Sequence, residues 1–559
     1  MKKENYSRRS FLKTAAAGIA ASAAASAGAS ASARAGASAS ARASASAGEA
    51  FASASQAAPP SQECGSVYVP PPRQQGNNLN LIVIVSDTFR HDNLACYGPR
   101  WLENLETPNL DRFAQNAVVF NDAYPEGMPT IVIRRTLYTG RRVIPFYYFP
   151  QHANVQLPGW HALYNEDVTL SETLGASGYI NTLISSLYHE FKPSQNFQRG
   201  FDSWRWVRGL EWDAYGTSPH KLLDVSDLAS AEYLARFPGL HGKLSQYKAN
   251  RNKWKRHGES VTQIVMQEGI RWLNENHGER PFYLHLESFN SHEPWDPPRR
   301  FLEKYMPNAR NPRFIEPPYD TVPLSNEIKQ RFRANYAGAV TDVDYWVGKV
   351  LDTIEQLGLF ENSVVVFMSD HGAMLGEHGQ FLKGPDKLRG QVTHVPLMVR
   401  VPGGEGAGKK VDGFVQIPDV MPTLLHLLGL QPPARVTGAN VWPLVTGETR
   451  SIRDSVVQTY GWVGAVRTKE WSYSEIWKPE AQQEQFHAFP GAPLSIYKPQ
   501  LYNLAKDPQE MNNVVEQYPD MARQMSARMK EYITSGEGLT FGSFNAKPTL
   551  NMSGGLYSK

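Results

Sequence analysis

Short apolar runs rich in β-branched residues alternate with segments of helical character through most of this chain. The predicted strands are residues 81–85, 180–184, 282–286, 364–368 and 396–401. The predicted helices include residues 260–276 and 335–357. Alternation of this kind indicates an α/β fold, in which a large, mostly parallel mixed sheet is sandwiched by helices.

Composition divides the 559 residues into three regions. Residues 1–58 are dominated by Ala, Ser and Gly, which supply no large side chains for a core, so we expect a signal peptide followed by a flexible low-complexity tether. The alternating pattern fills residues 76–449, the expected α/β domain. Over residues 450–545 the strands become short and aromatic and a last helix is predicted, which indicates a small α+β subdomain.

The first residues also predict where the protein works. Arg8 and Arg9 stand in the run Ser-Arg-Arg-Ser-Phe-Leu-Lys at residues 7–13, which is typical of a signal for the twin-arginine export machinery. That machinery carries folded proteins, and we expect a periplasmic or secreted protein. The sequence contains no run of about 20 apolar residues, so no membrane span is predicted.

Charge and cysteine content argue against two further classes of protein. The formal net charge is +3, but seven Lys or Arg residues and two Glu residues lie in the first fifty positions, so the rest is slightly acidic. That balance argues against a nucleic-acid partner. Cys64 and Cys96 are the only cysteines, which excludes a disulfide framework and leaves a single bridge and two free thiols as alternatives.

Two of the predicted strands lead into acidic residues. The run at 364–368 is followed closely by Asp370 and His371, and the run at 81–85 by Asp87. The carboxyl ends of parallel strands lie at one edge of the sheet, where open α/β folds bind their ligands. Two carboxylates and an imidazole at that edge suit a divalent metal ion. Alternatively, each acid caps the turn that follows its strand.

A short helix with distinctive chemistry is predicted between Thr130 and Gly140. A hydroxyl at a helix N-terminus lies at the positive end of the helix dipole, beside free backbone N–H groups. Coordination to a metal ion would lower its pKa further and make it a nucleophile. Arg134 lies one turn away on the same face, where its guanidinium can bind both the nucleophile and a tetrahedral anion. The alternative is a capping Thr beside a surface Arg.

A series of motifs along the chain has a recognisable order. The motifs are Ser86-Asp87-Thr88-Phe89-Arg90 with Ala95-Cys96-Tyr97-Gly98, Thr107-Pro108-Asn109-Leu110-Asp111, Leu137-Tyr138-Thr139-Gly140, Ser291-His292-Glu293-Pro294-Trp295, Asp370-His371-Gly372, Val395-Pro396-Leu397, and Leu501-Tyr502-Asn503-Leu504 with Asp507-Pro508. This series resembles the sulfatase family of the alkaline phosphatase superfamily, and the resemblance covers residues 80 to about 533. It implies an alkaline-phosphatase-like fold.

The resemblance also implies a metal site and an anion site. The implied metal ligands are Asp87, Thr130, Asp370 and His371. The implied catalytic residues are Thr130, Arg134, Lys383, His292 and His189. Arg134, Lys383 and His292 are expected to bind the anion, and His292 or His189 to protonate the leaving group. One divalent ion is expected, and because the ligands include a nitrogen and few oxygens, Mn²⁺ or Zn²⁺ is favoured, with Ca²⁺ as the alternative.

The chain departs from the family at the position of the nucleophile. Sulfatases convert a Cys or Ser at this position into the aldehyde formylglycine. Here the position holds Thr130, whose extra methyl group would give a ketone on the equivalent oxidation, and Val132 replaces the Pro of the recognition sequence. Thr130 resembles instead the direct threonine nucleophile of phosphodiesterase branches of the superfamily.

We therefore expect a metal-dependent hydrolase of anionic esters in which Thr130 attacks directly. Phosphodiesters, phosphonate monoesters and phosphomonoesters of a small molecule or an oligosaccharide are the favoured substrates. Two alternatives stay open, namely a sulfatase that works without formylglycine and a catalytically silent binding protein of the same fold.

Overall fold

The computed structural model describes residues 68, 70–146, 157–192, 195–216, 222–237, 239–278, 281–319, 321–478, 497–540 and 542–543. The predicted signal peptide and tether, with the twin-arginine motif, lie outside these residues, as does Cys64. All the described residues belong to one unit, Val67–Lys559.

The strands fall into a main sheet, a smaller sheet and a two-stranded ribbon. They are β1 (Asn80–Ser86), β2 (Val118–Tyr124), β3 (Gly127–Met128), β4 (Ile180–Ser185), β5 (Ser203–Trp206), β6 (Phe282–Ser288), β7 (Ser363–Met368), β8 (Met374–Leu375), β9 (Phe381–Leu382), β10 (Leu397–Arg400), β11 (Lys410–Gln416), β12 (Val456–Tyr460), β13 (Val463–Arg467), β14 (Trp471–Ile476) and β15 (Gln500–Asn503). The main sheet has the order β11-β2-β10-β7-β1-β6-β4-β5. Its pairings are parallel except those of β10, which is antiparallel to both neighbours. The predicted mostly parallel mixed sheet is confirmed.

The helices begin and end close to the predicted positions, with one exception. They are α1 (Pro108–Gln115), α2 (Thr130–Thr139), α3 (Leu170–Ala176), α4 (Ala231–Arg236), α5 (Leu240–Trp254), α6 (Val261–Asn276), α7 (Arg299–Leu302), α8 (Asn326–Gln356), α9 (Gly390–Thr393), α10 (Val420–Leu427), α11 (Trp442–Thr446) and α12 (Pro519–Ser535). Helix α8 begins well before residue 335, because the Ser325 side chain accepts the Ile328 N–H and caps a polar first turn. Among the described residues, none of these helices combines the length and apolar character needed to cross a bilayer.

Alternate side chains of β1 pack into two separate hydrophobic cores. Leu81, Val83 and Val85 belong to the core that α2, α10 and α12 cover, and all three are fully buried. Ile82 and Ile84 belong to the core on the opposite face, which α1, α6 and α8 cover. A strand buried on both faces requires a continuous apolar run, which is the pattern seen at residues 81–85. Polar side chains are therefore concentrated where the strands end.

The smaller sheet, with the order β15-β14-β13-β12-β3, is tied to the main domain through β3. In the parallel pairing with β12, Thr459 lies opposite Gly127. A Cβ at Gly127 would lie 2.5 Å from Val143 Cγ2, so the close approach of β3 to the main domain requires a glycine. Two residues after β3 the chain enters α2 at Thr130, so the C-terminal strands position the start of that helix. The predicted boundary at residue 450 stays a prediction.

Candidate active site

Two neighbouring strands bring three possible metal ligands together. Asp87 directly follows β1, and Asp370 and His371 follow β7, which pairs with β1 in parallel. One ligand atom from each lies within 4.8 Å of the others, and all three side chains are buried. The sequence therefore correctly predicted that these residues meet at the carboxyl edge of the sheet.

The imidazole of His371 is oriented for metal binding. Its Nδ1 lies 2.9 Å from the carbonyl oxygen of Gly372, and donation to that oxygen leaves the lone pair on Nε2. Nε2 is 3.5 Å from Asp370 Oδ2 and 3.9 Å from Asp87 Oδ1. Burial lowers the pKa of His371 to about 3, so the ring is neutral at ordinary pH, as a metal ligand must be.

Thr130 lies beside this group at the first position of α2. Its Oγ1 is 3.4 Å from His371 Nε2, and the residue is only 2% exposed. Two ligands of one ion, each about 2.1 Å from it, lie about 3.0–3.4 Å apart in octahedral or tetrahedral geometry. The separation of the hydroxyl and the imidazole is thus compatible with both binding the same ion. The backbone N–H of Val132 donates to the Pro129 carbonyl at 2.9 Å, so the helical turn begins directly at this residue.

A cavity of about 620 Å³ opens in front of Thr130. Four of the predicted catalytic residues line it, namely Thr130, His189, His292 and Lys383. Much of the remaining wall is aromatic, with Trp160, Tyr188, Trp212, Tyr233, Phe237 and Tyr319. Thr130 therefore stands between a buried group of metal-binding side chains and a cavity large enough for a ring-bearing ligand.

Lys383 and His292 form a hydrogen-bonded pair in the cavity wall. Lys383 Nζ is 2.7 Å from His292 Nε2, and His292 Nδ1 is 2.7 Å from the Glu293 carbonyl oxygen. Burial lowers the pKa of His292 to about 4, so the neutral ring donates from Nδ1 and accepts the Lys383 ammonium at Nε2. His292 was expected to protonate the leaving group, but in this arrangement its Nε2 accepts a hydrogen bond from Lys383 Nζ.

His189 is held by an acid that the sequence reasoning missed. Its Nε2 lies 3.0 Å from Glu211 Oε2, and its ring packs against Trp160 and Tyr188. Burial lowers the pKa of His189, so it is a neutral ring that donates to Glu211. Glu211 adopts a φ of 48°, within a turn whose sequence carries no periodic signal. His189 thus lines the cavity without carrying a proton ready for a leaving group.

Arg134 is placed differently from our expectation. Its guanidinium donates to Glu287 Oε1 at 2.7 Å, to Asp370 Oδ2 at 2.7 Å and to Asp87 Oδ2 at 3.1 Å. The side chain is fully buried against the candidate metal ligands. It is not among the described residues that line the cavity in front of Thr130. The reason is that Glu287 adds a third acid to Asp370 and Asp87, and all three accept from the guanidinium. Glu287 lies opposite Val85 at the end of β6, so the strand-end argument that identified Asp87 would also have identified it.

The charges of this buried group fit a divalent cation. Three carboxylates, Asp87, Glu287 and Asp370, share one guanidinium, so the group carries two excess negative charges when all three acids are ionised. Burial and the charge of Asp370 raise the pKa of Asp87 well above its usual value. Burial also opposes ionisation of Asp370, but Arg134 and His371 outweigh it and lower the pKa. Two buried carboxylates and a neutral imidazole form a donor set that suits a doubly charged ion, and such an ion would offset the excess negative charge.

Comparison with known families identifies the chain. The Sulfatase family model matches residues 79–430, and the model of the N-sulphoglucosamine sulphohydrolase C-terminal region matches residues 376–535. The chain belongs to the sulfatase family. It is a sulfatase-family hydrolase, and the resemblance drawn from the motifs is confirmed.

Individual proteins similar to this sulfatase-family chain match it over most of its length. An arylsulfatase of Clostridium perfringens is 24% identical over 497 residues, which cover 83% of this chain and 96% of that protein. The phosphonate monoester hydrolase of Agrobacterium radiobacter has a TM-score of 0.58 at 20% identity and covers 82% of this chain and 95% of its own. A protein solved in complex with its substrate D-glucosamine-2-N,6-O-disulfate also has a TM-score of 0.58, at 17% identity. This match covers 82% of the present chain and 98% of that protein's chain. These structures confirm the expected fold.

Proposed function

We propose that this sulfatase-family chain hydrolyses anionic esters with the unmodified hydroxyl of Thr130 as its nucleophile. The observation that carries the proposal is the position of Thr130 Oγ1, 3.4 Å from His371 Nε2 and at the wall of the cavity. The hydroxyl therefore faces both the candidate metal ligands and the space for a substrate. A surface capping Thr, the alternative reading of the sequence, would not be buried between the two.

One divalent ion would be held by Asp87, Asp370 and His371, with Thr130 beside them. We favour Mn²⁺ or Zn²⁺, because a set of two carboxylates and an imidazole has too few oxygens for the coordination that Ca²⁺ prefers. Such an ion supplies positive charge that favours the ionised form of a neighbouring hydroxyl and neutralises a substrate oxygen.

The reaction that these residues support has two halves. Thr130 Oγ1, having lost its proton to solvent, attacks phosphorus or sulfur in line with the leaving oxygen, and the bond to that oxygen breaks. The leaving oxygen takes a proton from the Lys383 ammonium, which His292 Nε2 holds in place at 2.7 Å. Water then attacks the threonyl ester, the Lys383 amine takes the proton of that water, and Thr130 is released.

The nucleophile also favours one class of substrate. An aldehyde hydrate can release a bound anion by re-forming its carbonyl, whereas a threonyl ester has no such route and must be hydrolysed at the central atom. We propose phosphonate monoesters, phosphodiesters or phosphomonoesters, which the likeness to the phosphonate monoester hydrolase supports. Sulfate esters are the second candidate, because the family model and the arylsulfatase relative favour them.

A panel of nitrophenyl esters tests this proposal. The phenylphosphonate, phosphate, bis-phosphate and sulfate esters are assayed after chelation and after reloading with Mn²⁺, Zn²⁺ or Ca²⁺, with the bound metal quantified by mass spectrometry. We expect a phosphorus ester to be turned over fastest and Mn²⁺ or Zn²⁺ to restore the rate. A faster sulfate ester would overturn the substrate class. Metal-loaded protein that turns over no ester would favour the silent binding protein.

We also propose that the protein is exported in folded form to the periplasm or beyond, on the strength of Arg8 and Arg9 in their run. Cell fractionation of the tagged full-length chain tests this. We expect the parent protein outside the cytoplasm and the double variant Arg8→Lys, Arg9→Lys within it. An unchanged distribution of the double variant would contradict export by the twin-arginine machinery.

A further inference from the structure

The cavity in front of Thr130 has acidic side chains that already have partners. Lys243 Nζ lies 2.5 Å from Glu316 Oε1, and Glu211 Oε2 lies 3.0 Å from His189 Nε2. All four of these residues line the cavity. Both acids of the wall are therefore hydrogen-bonded to partners within the protein.

Lys192 is a cation of the same wall without such a partner. It is half-buried, its Nζ lies 4.7 Å from the centre of the Tyr188 ring, and it makes no hydrogen bond or ion pair with any described residue. Burial lowers the pKa of Lys192 from its ordinary value, and the charge of Glu211 opposes this shift only in part. An ammonium group that has lost part of its water, that packs on an aromatic face and that has no hydrogen-bonded acid is stabilised further when an anion binds it.

The surface between Lys192 and the reacting centre is aromatic. The charges of Lys192 and Lys383 both lower the pKa of His189, so this imidazole lies within electrostatic range of each ammonium group. The ring of His189 is 4.0 Å from the Tyr188 ring and 4.9 Å from the Trp160 ring. Such a wall suits a flat or sugar-like ring, with one cation at the reacting ester and a second one further along.

We infer that Lys192 binds a second anionic group of the substrate, carried on a ring that packs against Tyr188 and Trp160. The inference rests on the proposed function, because it takes Thr130 and Lys383 as the end of the cavity where the reacting ester lies. The substrate is then a dianionic aryl or sugar ester, with a carboxylate, phosphate or sulfate as the second charge. The ammonium of Lys192 binds this group through a charge-assisted hydrogen bond.

A matched pair of substrates tests the role of Lys192. The esters of 4-nitrophenol and 3-carboxy-4-nitrophenol, made in the ester class that the parent enzyme turns over fastest, are assayed with the parent, Lys192→Met and Lys192→Arg. We expect Lys192→Met to lower kcat/KM about tenfold for the carboxylated ester and less than about twofold for the plain ester, with rescue by Lys192→Arg. Equal losses on both esters would overturn the inference.

Lys304→Met is the matched control, because it removes the same charge from an exposed lysine that pairs with Glu106 outside the cavity. We expect it to leave both substrates unaffected. A loss for the carboxylated ester equal to that of Lys192→Met would show a general effect of net charge and would overturn the inference.

Binding of unreactive ligands separates this inference from the proposed function. Calorimetric titration compares phenylphosphonate with 3-carboxyphenylphosphonate and 3-sulfooxyphenylphosphonate in the same variants. We expect the ligands with two charged groups to bind about tenfold tighter than phenylphosphonate to the parent, and this advantage to vanish in Lys192→Met. If the advantage is seen without turnover of any ester, the subsite stands and the hydrolase proposal fails. Equal affinities in an active enzyme would overturn the subsite alone.

Discussion

Arg134 and Lys383 are two buried cations of the candidate active site, and they differ in the groups that they contact. Arg134 donates to three carboxylates behind the candidate metal ligands, whereas Lys383 donates to the neutral imidazole of His292 in the cavity wall. The three carboxylates neutralise the charge of Arg134, whereas the uncharged partner of Lys383 does not neutralise its charge, which can therefore attract an anion. Under the proposed function, the acids around Arg134 hold a cation and Lys383 binds the anionic ester.

Removing the hydroxyl of Thr130 should have the largest effect on catalysis. We expect Thr130→Ala to lower kcat by at least about 1,000-fold, because the nucleophile itself is lost. Bound metal, measured by mass spectrometry, should persist, since Asp87, Asp370 and His371 remain. Thr130→Ser keeps the hydroxyl and should retain most of the activity. Retained turnover in the Ala variant would mean that another group attacks.

Removing the cation on the metal side should primarily reduce stability. In Arg134→Met, the carboxylates of Asp87, Glu287 and Asp370 lose their shared donor, and we expect a loss of about 3–5 kcal/mol in the free energy of unfolding of metal-free protein. Urea denaturation measures it. Glu287→Gln should cost less, because Arg134 keeps two of its three acids. Unchanged stability with a raised KM alone would return Arg134 to the anion-binding role that we first expected.

Removing the cation on the cavity side should primarily reduce catalysis. We expect Lys383→Ala to lower kcat about 100- to 1,000-fold, because the group that we propose as the proton donor to the leaving oxygen is lost. The unfolding free energy and the metal content should change little, in contrast to Arg134→Met. A loss of bound metal in this variant would contradict the division of roles between the two cations.

The smallest expected effect is a pH dependence of stability on the cavity side. Because burial lowers the pKa of His292 from 6.5 to about 4, the unfolded chain binds a proton between these values that the folded chain does not. Stability from this group is complete above about pH 6.5 and falls as the pH is lowered towards 4, by about 3 kcal/mol at most. Melting curves should show a shallower decline for His292→Asn than for the parent. Identical slopes would contradict a buried neutral His292.

The candidate metal ligands could be predicted from the sequence for a physical reason. Asp87, Asp370 and His371 follow continuous apolar strands, and parallel pairing alone brings such strand ends together. Thr130 likewise begins a helix whose end at Gly140 is visible in the sequence. No comparable rule predicts which side chains of the cavity wall contact one another.

The residues that escaped prediction depend on tertiary packing. Glu211 reaches His189 from a turn, and Lys243 reaches Glu316 across the cavity wall. The strand-end argument places Glu287 at the same sheet edge, but the helix periodicity around residue 134 does not reveal that Arg134 contacts it. Local patterns specify which elements form, whereas the partner of a long charged side chain is decided by what packs beside it.

Rapid-quench peptide mapping tests most directly whether the unmodified Thr130 hydroxyl attacks the substrate. The metal-loaded enzyme is mixed with its fastest ester, quenched in acid within the first turnover, digested and analysed by mass spectrometry. We predict that the peptide containing Thr130 has the mass of an ordinary threonine before mixing and gains one phosphoryl, phosphonyl or sulfuryl group at that residue after mixing. Turnover with this peptide unmodified at every quench time, or an oxidised residue at position 130 in the resting enzyme, would contradict the account.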